Sequence, residues 1–259
     1  MSIHYASLGL RRCALSAYFF VKMMKLQSIK DYFSKVEIAL WATSVSLIIL
    51  SFFIFDRSNY IAFIASLIGV TSIILNAKGN PIGQVLTIVF GILYGIESFT
   101  FAYYGEIITY LGMTLPMAIV ALVAWLKNPY KGNKAGVTAN RLKWKEIIFM
   151  AVLTIVVTVA FYFILWYFNT ANLLPSTLSV TTSFIAAYLT FRRSPYFAIA
   201  YTANDIVLIV LWVLATIEDI SYLSVAICFA VFIVNDIYCF INWLKMRKRQ
   251  QNQEEKENV

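Results

Sequence analysis

The sequence predicts an all-α polytopic membrane protein of about eight transmembrane helices, and three observations carry that expectation. Hydrophobic residues make up 61% of the chain and charged residues 13%, against roughly 45–50% and about 25% in soluble domains. Eight apolar windows approach the ~20 residues that span a bilayer: 37–55, 60–77, 81–103, 106–126, 147–168, 172–191, 195–216 and 220–243. All 21 Lys and Arg residues except Arg57 fall in alternate connecting segments, as expected if cytoplasmic loops retain the basic residues.

With the N-terminus inside, the cytoplasmic segments are 1–36, 78–80, 127–146, 192–194 and 244–259, and the outer turns carry Asp56, Glu106, Glu218 and Asp219. Moving one helix would place several basic segments outside. The expectation is therefore a multi-pass inner (cytoplasmic) membrane protein with both termini in the cytoplasm. The net charge of +8 then reads as a topology signal and a contact with anionic lipid, not as a nucleic-acid surface. Arg11-Arg12 precede a short apolar stretch without a clear small-residue cleavage site. The reading preferred over a weak signal sequence is Met23 or Met24 as the start, with the preceding residues a disordered arm. The tail 246–259 reads as charged and solvated.

Several chemistries are disfavoured by what the chain carries. Cys13, Cys228 and Cys239 have no metal-type spacing, and two lie in apolar windows. The sole histidine, His4, sits in the N-terminal arm, which argues against histidine acid–base catalysis and histidine-ligated metal. Gly132 to Gly136 lack Walker A spacing. No cofactor, no metal and no enzymatic activity are expected.

An internal repeat organises the spans. A shift of 118 residues lays 60–127 over 178–245, matching Tyr104 with Tyr222, Tyr94 with Trp212, and Trp125-Leu126-Lys127 with Trp243-Leu244-Lys245. One helix separates the two triplets, so they would share an orientation, a parallel repeat with the solute site between halves near the midplane. The corresponding division is an N-terminal arm (1–36), an extra helix (37–55), a first three-helix bundle (56–127), a linker with a linking helix (128–171), a second bundle (172–245) and a tail (246–259).

Polar groups inside apolar spans point to a cavity or to each other, because lipid leaves them no other partner. Helical spacing places Gln84, Thr87, Gly91, Tyr94 and Ser98 on one face of their span, and Tyr201, Asn204, Asp205 and Trp212 on one face of another. Asn235, Asp236 and Tyr238 form a third cluster, and Ser179, Thr182 and Ser183 a fourth, with Thr181 alongside. From these, Asn204, Asp205, Tyr201, Trp212, Gln84, Tyr94, Thr182, Asn235 and Asp236 are the candidate substrate-binding residues. Aromatic rings would stack on a flat heterocycle, amides would match an amide, and carboxylates would accept from hydroxyls. The alternatives are interhelical hydrogen bonds for Asn204, a helix-contact role for Asp236 near its end, and backbone-bonded hydroxyls for Ser and Thr. Trp125 and Trp243, at span ends, read as interface anchors. Pro116 is a candidate kink and gating hinge, with static packing as the alternative.

Read in order, Asn76-Ala-Lys-Gly-Asn-Pro-Ile-Gly83, Leu93-Tyr-Gly95, Tyr103-Tyr-Gly-Glu106 and Pro116 to Trp125-Leu-Lys127 resemble the first half of PnuC-type nicotinamide riboside / nicotinamide mononucleotide (vitamin) transporters. Asn204 with Trp212, and Asn235 with Tyr238 and Trp243, resemble the second half. The resemblance covers about residues 37–245. It implies a SWEET-like 3+1+3 arrangement with one extra N-terminal helix, and uptake of nicotinamide riboside by facilitated diffusion with intracellular phosphorylation trapping the product. It also implies association with further copies as a homo-oligomer. Many members carry a tryptophan pair seven and four residues before the position of Asn204; Phe197 and Ala200 stand there, followed by Tyr201. Relatives for thiamine, riboflavin and deoxynucleosides keep those solutes in view. The rival classes are a membrane-embedded enzyme and a non-transporting scaffold.

Overall fold

The computed structural model describes residues 32–100, 104–170 and 172–257. In chain order the helices are α1 (Lys35–Phe55), α2 (Tyr60–Ala77), α3 (Pro81–Thr100), α4 (Tyr104–Thr109), α5 (Leu115–Lys127), α6 (Trp144–Tyr167), α7 (Leu173–Phe191), α8 (Phe197–Ala215) and α9 (Leu223–Glu257). A π-turn (Tyr110–Thr114) joins α4 to α5, and a short hairpin, β1 (Pro129–Tyr130) and β2 (Asn133–Val137), follows α5. Among the described residues, seven segments are long and apolar enough to cross a membrane; the apolar part of α3 (Pro81–Ile96) makes a shorter eighth. The protein is an all-α polytopic membrane protein. The residues up to Ala42 and those from Thr43 onward form two compact units.

In the first unit a reciprocal cap starts α1. The Ser34 amide donates to Glu37 Oε2 at 2.7 Å and the Glu37 amide to Ser34 Oγ at 3.2 Å, which satisfies two donors that a helix N-terminus leaves open. In the second unit, Asp56 gathers the Ser58 and Asn59 amides and the Ser58 hydroxyl, and Asn59 caps α2 through the Ala62 amide.

The loops α2–α3 and α7–α8 are built alike. Gly79 and Arg193 both take left-handed backbone, with φ of 67° and 56°. Each closes its helix with the same pair of bonds, Gly79 N to Asn76 O and Asn80 N to Leu75 O in one, Arg193 N to Thr190 O and Ser194 N to Leu189 O in the other. A proline follows two residues later in both, Pro81 and Pro195, where it stops the helix from continuing. Here the two halves correspond at a shift of 114 residues, one helical turn less than the 118 relating Tyr94 to Trp212.

Within the second unit the helices pack in a ring: α2 on α3, α3 on α5, α5 on α7, α7 on α8, α8 on α9, and α9 back on α2. Residues of α1 from Ser44 onward line the outside of α2 and α9, with Phe52 stacked on Phe63 at 4.5 Å and Ser44 Oγ accepting from Asn235 Nδ2 at 2.9 Å. Helix α6 leans on α7 alone among the closely packed pairs; only 6% of its apolar stretch is buried, so lipid is the solvent for most of it.

The basic segments 78–80, 127–146 and 192–194 and the start of the tail meet at one end of this ring. The Asn140 amide donates to Arg193 O, Asn242 Nδ2 to Ala77 O, and Gln250 exchanges bonds with Ala139 N and Val137 O. Sequence reading differs from the structure in two respects here. The tail is not simply solvated, because α9 runs on to Glu257 and the hairpin holds it through Tyr130 to Gln253 and Lys131 to Glu257. Trp125 and Trp243 are not interface anchors. Both are fully buried, lie 5.4 Å apart ring to ring, and cross between the halves: Trp125 Nε1 donates to Thr190 O at 2.9 Å and Trp243 Nε1 to Asn76 O at 2.7 Å. Asn76 and Thr190 are themselves counterparts at the 114-residue shift, so the two bonds are reciprocal.

Pro116 follows the π-turn, in which the Leu115 amide reaches back five residues to Tyr110 O. The wider turn takes up the bond that proline cannot make, so α4, the π-turn and α5 pass as one span.

Helices α2 and α3 approach closest at Gly83, where an added Cβ would stand 2.3 Å from Asn76 Oδ1. We expect Gly83→Ala to cost about 1–3 kcal/mol through overpacking and to lower the melting temperature of the detergent-purified protein, whereas Gly91→Ala, whose Cβ would meet nothing within 4 Å, leaves it unchanged.

Candidate functional site

Inside the ring lies a cavity of about 70 Å³ lined by α2, α3, the π-turn, α7, α8 and α9. Its polar wall is Asn204, Asp205 and Asp236, each at most 5% exposed, joined by Asn76, Thr87, Thr114, Ser183 and Tyr201. Asn204 lies seven residues into α8, roughly 10 Å from the basic end at 1.5 Å per residue.

The Asn204 amide is oriented by its neighbours. Ser183 Oγ lies 2.9 Å and Thr182 Oγ1 2.8 Å from Asn204 Oδ1. With both acceptor positions of the oxygen occupied, the NH₂ is the group left for the cavity, a hydrogen-bond donor in a fixed direction. Asp205 on α8 and Asp236 on α9 bring their carboxyls together beside it. Neither forms an ion pair among the described residues. Asp205 Oδ2 and Thr114 Oγ1 are buried without a hydrogen-bond partner among those residues. Unsatisfied buried polar atoms are rare in folded proteins, and two on one cavity wall mark it as built for something polar to enter.

Aromatic layers flank the cavity on both sides. Toward the basic end, Phe197 packs edge-on against Trp243 at 5.0 Å and Trp125 at 6.3 Å. Toward the far end, Tyr94 packs on Tyr110 at 4.4 Å and on Phe229 at 5.8 Å, and its hydroxyl accepts from Trp212 Nε1 at 2.6 Å. Trp212 is eight residues beyond Asn204, about 12 Å further along α8. Each layer contains a pair related by 118 residues: Trp125 with Trp243, and Tyr94 with Trp212.

Of the residues singled out from sequence, Tyr201, Asn204, Asp205 and Asp236 line the cavity together. Thr182 stands behind them as a support for Asn204. Gln84 is one shell out, donating to Asn76 Oδ1 at 2.9 Å, while Asn76 Nδ2 donates to Thr87. Tyr94 and Trp212 do not line the wall but cap it. Asn235 faces the other way, toward Ser44 and the Val231 carbonyl. Asp236, a candidate with a helix-contact role as its alternative, sits in the cavity wall. The motif residue Tyr103 and residues 1–31 lie outside what the structure describes, as do the side chains of Glu97, Tyr104 and Glu106.

Sequence reasoning missed Asn76 and Thr114 as wall residues and reached Phe197 only through the family resemblance, as the residue in place of a tryptophan. Asn76 adjoins a loop signal at the end of its helix. Thr114 had one available signal, the Pro116 two residues on, since π-turns gather at functional sites.

Comparison with known proteins agrees with this architecture. Residues 59–245 match the family described as Nicotinamide mononucleotide transporter. The chain is 25% identical over 207 residues to the nicotinamide riboside transporter PnuC of Neisseria mucosa, across 78% of each chain. It is similar in fold to a crystal structure of the vitamin B3 transporter PnuC, with a TM-score of 0.74, 22% identity, and coverage of 84% of this chain and 94% of that one. These relatives are named as transporters, not enzymes. The family match takes in well over half of the sequence, and the chain belongs to the nicotinamide mononucleotide transporter family.

Proposed function

We propose that this protein takes up nicotinamide riboside by facilitated diffusion, moving it through the central cavity by alternating access, with intracellular phosphorylation holding the product inside. The observation that carries this reading is the cavity wall itself. A fixed amide donor at Asn204, two carboxyls without a basic partner among the described residues, and the rings of Phe197, Tyr201 and Phe232 face one space. A nicotinamide riboside molecule offers the matching groups: a carboxamide oxygen, ribose hydroxyls, and a flat ring with a positive charge. Phe197 and Tyr201 take the stacking role of the tryptophan pair found in many relatives, and Asp205 and Asp236 supply the countercharge.

At about 70 Å³ the cavity is smaller than the ~300 Å³ typical of small-molecule sites, so a nucleoside enters only when one aromatic layer parts. The reciprocal tryptophan bonds and the like-built loops support a parallel SWEET-like 3+1+3 repeat, in which one triplet rocks against the other around a fixed site. In that cycle the Tyr94–Trp212 bond is the far latch, the Trp125–Phe197–Trp243 cluster the basic-end latch, and the π-turn before Pro116 the hinge. The basic end faces the cytoplasm of an inner membrane by the retention of Lys and Arg on that side.

One observation favours a second reading within the same fold. Ala200 stands where many relatives carry a tryptophan, a change that would suit a different vitamin or nucleoside such as thiamine, riboflavin or a deoxynucleoside. Binding of nicotinamide riboside, nicotinamide mononucleotide, thiamine, riboflavin and deoxynucleosides to the purified full-length protein separates the two. Tight and selective binding of nicotinamide riboside is the expected result, and preference for another compound would replace the substrate.

Asn204→Ala is expected to weaken binding of the riboside about tenfold or more by removing the donor, with unchanged elution in size-exclusion chromatography; unaltered affinity would remove Asn204 from the site. For charge, a paired Asp205→Asn and Asp236→Asn variant is expected to lose affinity for the cationic riboside while keeping affinity for a neutral nicotinamide riboside analogue with a reduced ring. Equal losses for both ligands would show that the carboxyls do not act through charge.

A further inference from the structure

A second cavity, of about 440 Å³, sits at the basic end and shares no residue with the central one. Arg141, in the segment before α6, and Arg247, on the extension of α9, both line it, with Ser194 and Tyr196 from the start of α8 and Leu142 and Ile147 as an apolar wall. Among the described residues neither arginine has an ion-pair partner; the nearby acid Glu146 is already taken by Arg192. The Arg247 guanidinium lies 6.0 Å from the Tyr196 ring centroid, a contact that holds its plane in place while its N–H groups stay available.

A third source of positive potential converges on the same space. Helix α8 is 19 residues long and begins beside Ser194 and Tyr196; the Phe197 N–H is taken by Ser194 O, and the positive end of the helix dipole favours an anion there. Two guanidiniums and a helix start around one hollow form a site for an oxyanion with several acceptor oxygens. Bidentate arginine bonds suit phosphate in particular.

We propose that this cavity binds a phosphate group, and that the Leu142 and Ile147 wall fits it to the headgroup of an anionic phospholipid. The level in the bilayer supports that source. Trp144, three residues after Arg141, is 73% exposed at the head of the lipid-facing helix α6, the place of an interfacial tryptophan. Acyl chains would then run down the apolar face of α6. Basic pockets between spanning helices at this level are the usual form of such sites. The site adjoins Tyr196, next to Phe197 of the basic-end aromatic layer, so its ligand would steady the start of α8 where that layer is anchored.

Native mass spectrometry of the full chain, titrated with phosphatidylglycerol and with phosphatidylcholine, reads the lipid source; thermal shift with inorganic phosphate reads the free-anion source. The comparison is between the wild type, an Arg141→Gln and Arg247→Gln pair, and Arg249→Gln as a control outside the cavity. The expected result is one tightly held phosphatidylglycerol that the paired variant releases, with affinity roughly tenfold or more lower, while Arg249→Gln and the phosphatidylcholine series show no change. Stabilisation by inorganic phosphate, lost in the same pair, would support the phosphate site with a free anion as its ligand. Equal phosphatidylglycerol retention by wild type and the pair, with no phosphate shift, would overturn the proposal. Central-site solute binding measured on each variant shows that the protein remains folded.

Discussion

Two indole N–H groups set the frame on which everything else in this protein rests. In lipid a buried N–H has no water to turn to, and here each half of the ring satisfies the other's. Trp125 donates to Thr190 O and Trp243 to Asn76 O, from the third helix of one triplet to the end of the first helix of the other. The two rings lie against each other and against Phe197, so the halves are locked edge to edge at the basic end. Losing either bond would leave a buried indole unpaired, a cost of about 1–3 kcal/mol. That mutual dependence ties α5 to α7 and α9 to α2 at the basic end of the common space.

The far end repeats the device with different chemistry. Tyr94 and Trp212, again 118 residues apart, meet through a single 2.6 Å bond. Between these layers the cavity wall carries the Asn204 amide, the two carboxyls, Asn76 and several hydroxyls. A wall in which Asp205 Oδ2 and Thr114 Oγ1 find no partner among the described residues is costly to maintain in a bilayer unless a solute or water meets it. The account of transport follows from that imbalance: tight apolar closure above and below, unspent polarity in the middle.

Much of the fold was legible in the sequence because lipid imposes length and apolarity span by span, and because basic residues mark alternate loops. The sequence suggests a repeat through Trp125-Leu126-Lys127 and Trp243-Leu244-Lys245, but not the register of the two like-built loops. The first helices of the two halves correspond at 114 residues, and only the matching backbone bonds at Gly79 and Arg193 reveal it. Asn204, Asp205 and Tyr201 were readable from helical spacing, since they share one face of one helix. Phe197 shares their face of α8, four residues before Tyr201, whereas Asp236, Asn76 and Thr114 join them by convergence of separate helices, which no single-helix period encodes. Trp125 and Trp243 misled for a related reason: a tryptophan at the end of a span has the same local sequence whether it faces headgroups or a partner helix. Tyr94 and Trp212 showed the right face but are bonded to each other, a pairing that spacing along one helix does not disclose.

The most direct measurement is a structure of the full-length protein in a lipid nanodisc with nicotinamide riboside bound. The account predicts the ribosylated ring between Phe197 and Tyr201, its carboxamide oxygen within hydrogen-bond distance of Asn204 Nδ2, its charge facing Asp205 and Asp236, and a cavity widened by parting of one aromatic layer. A riboside bound elsewhere, with the central cavity still closed by both layers, would contradict it.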